Sequence, residues 1–341
     1  PGTLDGSISN DMYKVKESNS DLLLTAAGDL SDKFSGSFSV GGNHLNRQQE
    51  QVGFTGTGFN IAGLYHINNS RNKSTRHGIT RKVINSAYFT GQLGYKNFLF
   101  LDVTGRNDWS STLGLNHQSF FYPSVSTSFV FSDLLSNSLT FLDYGKLRVS
   151  YAEAGNDADP YRTAGGYNLS NLNFNGQPYA AVNSTVPLAD LKNELTRSFE
   201  IGTEMRFFKN RLGLDLTYYS SATFNQIINI GLSSATGYAS RMINAGEIQN
   251  KGVEILLSGT PVRSKNFSWD MMLNLSRNKS KVVALAPGIS TYRMLSATRA
   301  SIQATPGESF GNIIGYDYMR TPDGQILLTE TGKFQKATEA T

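Results

Sequence analysis

Few residues of this chain have a spacing that can do chemistry. Gly307-Glu308-Ser309-Phe310-Gly311 matches G-x-S-x-G, the turn that presents a nucleophilic serine between a strand and a helix. Such a serine needs an acid and then a histidine after it in the chain. Here Pro306 precedes the turn, a β-like stretch from Asn312 to Met319 follows it, and all four histidines, His44, His66, His77 and His117, lie upstream. The residues read instead as a Gly-rich bend entering a strand. The histidines show no i, i+3 or i+4 metal spacing, and the chain has no cysteine to complete a site. Asn156-Asp157-Ala158-Asp159 clusters oxygens that suit a hard cation such as calcium, although the Gly and distal Glu of an EF-hand loop are missing; an Asx-rich turn is the alternative. Triplets such as Asn72-Lys73-Ser74 match the glycosylation acceptor pattern without further support. The expectation is a protein that is no enzyme, with no catalytic residue, cofactor or metal.

The other chemistry-bearing residues are charges and aromatics, and their meaning depends on the elements that carry them. In Ser198 to Phe207, Phe199, Ile201, Met205 and Phe207 share one face while Glu200, Glu204 and Arg206 share the other. Leu212, Leu214, Leu216 and Tyr218 alternate with Asp215 and Thr217, and Val253, Ile255 and Leu257 with Glu254. Trp269, Met271, Leu273 and Leu275 alternate with Asp270 and Asn274, and Leu147, Val149 and Tyr151 with Lys146, Arg148 and Ser150. Similar pairs occupy Ala87 to Val103 and Val125 to Phe131. About ten to twelve strands result, more than an open sheet usually holds without curling or closing.

Three Lys-Asn pairs punctuate these strands: Lys96-Asn97, Lys209-Asn210 and Lys265-Asn266. Asn tolerates the positive φ of tight hairpins, so each pair predicts a short antiparallel turn. The opposite connections are long and polar, from Asn107 to Phe120 and from Gly155 to Glu194. Short turns at one end and long loops at the other are the pattern of an outer-membrane β-barrel.

Composition agrees. The chain has 341 residues, 16 Tyr and 20 Phe, no apolar run long enough for a membrane helix, and a negative mean hydropathy. A barrel escapes that test because only every second strand residue faces lipid. The net charge of +4 invites a nucleic-acid partner, but Lys and Arg are scattered among Asp and Glu, so none is expected. The basic stretch Arg71 to Lys82 reads as a solvated loop, with contact to lipopolysaccharide phosphates as the minority alternative. A soluble β-sandwich binding module would also alternate, yet aromatics flank the short turns (Tyr95, Phe98, Phe207, Phe208, Phe267 and Trp269) as in a membrane-interface girdle. Starting at Pro1 and ending in a polar stretch after Lys336-Ala337-Thr338-Glu339, the sequence reads as a fragment.

Four blocks resemble a known family. Asn85 to Leu113 is similar to the strand, turn, strand, R-x-D-x-S-S block of SusC/RagA-like TonB-linked outer-membrane transporters of the Bacteroidetes type. Phe121 to Phe131, Leu195 to Tyr219 and Ile243 to Val282 agree in order, the last through N-A-G-x-x-x-N-K-G-V-E. The resemblance covers most of Asp21 to Leu328. It implies an all-β, antiparallel transmembrane barrel segment in the cell outer membrane, about half of a 22-stranded barrel. Residues 1–341 would be part of one barrel domain, with the N-terminal plug and the C-terminal closing strands lying outside the chain. It implies import of oligosaccharides or peptides with a SusD-like surface lipoprotein and the TonB complex; a passive porin or structural barrel is the alternative. The Lys-Asn turns would then point to the periplasm. Lys146, Arg148, Glu200, Glu204, Arg206, Asp215, Glu254 and Asp270 would face the lumen or plug. Trp109, Tyr161, Tyr167, Tyr179 and Tyr238 are the candidate loop aromatics for solute contact.

Overall fold

A computed structural model describes residues 6–135, 140–297, 300–315 and 317–337. Pro1 and the chain end from Thr338 lie outside the described residues. In chain order the strands are β1 (Ser7–Ser31), β2 (Phe34–Phe59), β3 (Ser70–Tyr95), β4 (Leu99–Ser110), β5 (Ser119–Val130) and β6 (Leu142–Asn156). Then come β7 (Tyr167–Phe174), β8 (Gln177–Val182), β9 (Thr185–Val186), β10 (Glu194–Phe207), β11 (Leu212–Phe224) and β12 (Ile227–Gly231). Last are β13 (Ser240–Asn244), β14 (Glu247–Arg263), β15 (Ser268–Ala284), β16 (Tyr292–Ser296), β17 (Ala300–Ala304) and β18 (Asn312–Gly315).

Ten of them form one antiparallel sheet in the order β1-β2-β3-β4-β5-β6-β10-β11-β14-β15. The short strands sit in the connections: β7 pairs with β8, β12 with β13, and β9 runs parallel to β13, which ties the β6–β10 and β11–β14 connections together. Two packed sheets, the arrangement of a sandwich, are not what this topology builds.

The four short links, residues 32–33, 96–98, 208–211 and 264–267, lie at one end of the sheet together with the β5–β6 connection, because Phe34 pairs with Tyr95, Leu99 with Phe129, Phe207 with Leu142 and Leu212, and Arg263 with Ser268. Two of the Lys-Asn turns use the left-handed region: Lys96 and Asn97 at φ 47° and 60°, and Lys209 and Asn210 at 60° and 59°. The third closes differently. Ser264 accepts the Phe267 N–H on its hydroxyl at 3.1 Å and donates its own N–H to the Phe267 carbonyl at 2.8 Å. The serine fixes that turn, and Lys265-Asn266 only fills it.

The register keeps two faces apart. Phe199, Ile201, Leu216, Val253, Leu273 and Leu275 share one face and all are exposed, 37–50 % of their surface being free. That much exposed contiguous apolar area is foreign to a water-soluble sheet. At the turn end, rings touch in series: Phe34, Tyr95, Phe98, Phe129 and Phe131 with centroids 4.8–6.4 Å apart, and Phe141 with Phe207 and Phe208. The most buried apolar cluster is elsewhere, in the connections, where Leu113, Ala158, Leu191 and Met242 pack with Phe120, Leu188 and Ile227.

β1 to β3 run 25 or 26 residues against 12–17 for the rest of the ten-stranded sheet. β4 meets β3 only from Ile84 onward, so residues 70–83 extend past the common rim with β1 and β2 alone. This corrects the loop expected for Arg71 to Lys82. It is strand, in which Arg76 pairs with Asp11, Lys82 with Asp157, and His77 Nε2 lies 3.2 Å from Glu50.

Candidate functional site

On the polar face, register brings the predicted charges together across β6, β10 and β11. Glu204 lies opposite Lys146 on one side and Asp215 on the other. Its carboxylate takes Lys146 Nζ at 3.3 Å and Arg206 Nη2 at 2.8 Å. Arg148 reaches past Gly202 to bind Asp215 in a two-pronged pair at 3.1 and 2.5 Å and donates to Thr217 Oγ1 at 2.5 Å. A Cβ on Gly202 would stand 2.7 Å from Arg148 Nε, so the guanidinium crosses only because that residue has no side chain. Glu200 and Glu254 share this face, opposite Ser150 and Thr217 respectively. Asp270 accepts hydrogen bonds from Thr260 (2.6 Å) and Ser268 (3.1 Å) near the turn end.

A second network sits at the rim with the long connections, and sequence reasoning missed it. The R-x-D-x-S-S block supplies it residue by residue. Arg106 Nε donates to Asp108 at 2.7 Å and its Nη2 to Ser86 at 2.8 Å, while the Tyr122 hydroxyl binds the other Asp108 oxygen. Ser110 donates to Asp157 at 2.5 Å, Thr112 to the same oxygen at 3.1 Å, and Lys82 pairs with the other oxygen. Ser111 accepts the Val83 N–H at 3.0 Å. The Asp157 side chain is 6 % exposed, with its carboxylate fully partnered. The signal was present as hydroxyls at Ser110 and Thr112, but nothing local says that their partner lies 45 residues away or more. Asp157 therefore clamps the β6–β10 connection to β3 and β4. Its neighbour Asp159 pairs through Oδ2 with Arg162 at 3.2 Å, and Asn156 donates its Nδ2 to Glu194 at 3.1 Å, so of the oxygens read as a possible calcium cluster both of Asp157 and one of Asp159 are turned to protein partners.

Beside the clamp lies a cavity of about 380 Å³ lined by Arg47, Gln49, Thr80, Lys82, Ala158, Asp159, Pro160 and Arg162. Its strand residues belong to the polar face by register. Farther along the rim, His117 Nε2 and Asn116 meet Asp190 at 3.2 and 3.4 Å. Desolvation works to raise the Asp190 carboxyl, but those hydrogen bonds and the charges of His117 and Lys192 outweigh it and hold it below the usual range.

The five aromatics do not share one position. Trp109 is not in a loop but near the end of β4, opposite Asn85 and Ser119. Tyr167 and Tyr179 sit on the β7–β8 hairpin, 77 % and 43 % exposed. Tyr161, at φ 65°, accepts the Arg81 N–H on its hydroxyl and lines a cavity of about 160 Å³ with Arg162, Asn183 and Met242. Tyr238 follows a short 3-10 turn and is half-buried. His44 binds Asn85 at 2.7 Å, and His66 caps that kind of turn through Asn68. Gly307 and Gly311, at φ 92° and 87°, bend the chain into β18, so Ser309 precedes a strand as expected rather than a helix.

The family described as "TonB dependent receptor-like, beta-barrel" matches residues 2–335. The TonB-dependent receptor P26 of Formosa agariphila is 35 % identical over 219 residues, 60 % of this chain and 22 % of that protein. The TonB-dependent receptor SusC of Bacteroides thetaiotaomicron is 24 % identical over 212 residues, 59 % of this chain and 21 % of its own length. Among solved structures, the RagAB peptide transporter superposes with a TM-score of 0.77 at 20 % identity, over 92 % of this chain and 35 % of that one. The chain thus spans about a quarter of the curated relatives it matches.

Proposed function

This chain belongs to the TonB dependent receptor-like β-barrel family, and on that premise we propose that the protein imports oligosaccharides or peptides across the outer membrane, driven through TonB and assisted by a SusD-like surface lipoprotein. One observation carries the reading. A ten-stranded antiparallel meander keeps an exposed apolar face, a charged face, short turns at one end and elaborated connections at the other. The SusC and RagAB likenesses support a SusD-type partner and an oligomeric sugar or peptide as the solute.

In this proposal the Lys146, Arg148, Glu200, Glu204, Arg206, Asp215, Glu254 and Asp270 face borders the lumen, where water and plug satisfy the charges that lipid would not. The short turns point to the periplasm. The Asp157 clamp holds the outer connections over the rim, where Tyr161, Tyr167, Tyr179 and Tyr238, with Trp109 beside them, offer ring faces to sugars or peptide side chains. Residues 1–341 form part of a single barrel domain, and catalysis has no place in the account.

Uptake by cells carrying the whole protein tests this. Accumulation of a labelled oligosaccharide or peptide pool should require both this protein and TonB. Uptake that survives loss of TonB would instead favour a passive porin.

A further inference from the structure

A group of exposed cations without partners lies outside the basic stretch Arg71 to Lys82. Lys251 on β14 and Arg277, Lys279 and Lys281 on β15 form no side-chain hydrogen bond or ion pair among the described residues. All four are exposed and share a face. Val253 pairs with Arg277, Lys251 with Lys279, and Gln249 with Lys281, in unbroken register; alternation puts them on the face that carries Ile255, Leu257, Leu273 and Leu275. Lys251 and Lys279 are thus like charges directly opposite each other, an arrangement that destabilises a strand pair unless an anion sits between them. Glu247 is the nearest carboxylate along β14 on that face, beyond the bulge that ends the register. Elsewhere on the apolar face the comparable cation is neutralised: Arg197 binds Glu153 at 2.9 Å and stacks on Phe224.

Height along the strand identifies what the cluster meets. From Trp269, in the turn-end aromatic zone, to Lys279 is about 34 Å of strand at roughly 3.4 Å per residue. At a tilt of about 40° that is a rise of about 26 Å, the height of the apolar band of an outer-membrane barrel. The cluster therefore stands where the apolar band gives way to headgroups on the side of the long connections. We propose that Lys251, Arg277, Lys279 and Lys281 form a binding site for the phosphate-bearing headgroup of an outer-leaflet lipid. This rests on the orientation given above, with the short turns in the periplasm. Several cations around one phosphate outweigh a single exposed pair, since the lipid tail already lies along the apolar face.

The whole protein, in nanodiscs, tests it. Retention of phosphorylated lipid A after detergent washing should fall at least fivefold in the K251Q/R277Q/K279Q/K281Q variant. Dephosphorylated lipid A should be retained weakly by both proteins, and inorganic phosphate alone should not bind measurably. The Lys265→Gln control, at the other end of the sheet, should retain lipid as the unsubstituted protein does, and K251R/K279R should preserve retention. Heat-modifiable gel mobility and TonB-dependent uptake are read on every variant. Equal retention by the four-Gln variant and the unsubstituted protein overturns the proposal while leaving transport standing; a four-Gln variant that does not fold moves the decision to K279E alone, where unchanged retention overturns it equally.

Discussion

At residue scale Asp157, read from the sequence only as one oxygen of a possible cation cluster, gathers more partners than any of the lumen-face charges. One carboxylate satisfies Lys82, Ser110 and Thr112, in a site nearly closed to water. Replacing it with Ala takes the acceptor from Lys82 and leaves Ser110 and Thr112 only each other at 2.9 Å, at a cost of about 1–3 kcal/mol. Asp157→Ala should therefore speed hydrogen exchange and proteolysis within residues 157–193 of the whole protein while leaving β10 and β11 protected. Protection unchanged in that connection would show that the clamp is not what holds it. Asp11 gives a pH-dependent counterpart on the extension beyond the rim. The Arg76 hydrogen bond first, then Gln51 and the Arg76 charge, hold its carboxyl below the usual range against desolvation. A depressed folded-state value stabilises above the unfolded value of about 3.9 and is lost as pH falls through the folded one. Protection in residues 7–20, corrected for the intrinsic exchange rate, should fall on acidification below about pH 4, and Arg76→Gln should flatten that fall by removing the depression that causes it. A profile unmoved by the substitution would reject the pairing.

At the scale of elements, what was legible follows from physics. Strands β10, β11, β14 and β15 alternate cleanly because one face is apolar and the other polar, so the residues that share a face could be read one by one. The extension formed by residues 7–20, 46–59 and 70–83 is polar or mixed on both faces, which erases the period of two and made β3's basic half resemble a loop. Turn chemistry was legible at Asn97 and Asn210 but not at Lys265-Asn266, where Ser264 closes the link. The parallel contact of β9 with β13 and the Asp157 clamp join residues too far apart in sequence for any local pattern to announce them. The two faces differ in what they tolerate. Leu216→Arg, on the apolar face, should cost about 2–4 kcal/mol if it lies near the bilayer midplane, whereas its neighbour Thr217→Arg, on the polar face, should cost far less. Urea titrations of the whole protein in bilayers check this, and equal losses would mean that the faces do not see different solvents. Asn97→Val, forced to a left-handed φ, should cost about 1–2 kcal/mol by the same assay.

For the whole molecule, the central claim is that one sheet separates lipid from an aqueous interior. These 341 residues hold no cysteine, so once any cysteine elsewhere in the whole protein is replaced by serine a direct test is open. Single cysteines placed in the whole protein at Phe199 to Glu204 and at Leu214 to Tyr219, then spin-labelled in bilayers, report collision with oxygen, which concentrates in lipid, and with a water-soluble nickel chelate. The register predicts a period of two: Phe199, Ile201, Thr203, Leu214, Leu216 and Tyr218 should favour oxygen, and Glu200, Gly202, Glu204, Asp215, Thr217 and Tyr219 the nickel complex. Equal access of the nickel complex to both sets would contradict the barrel account.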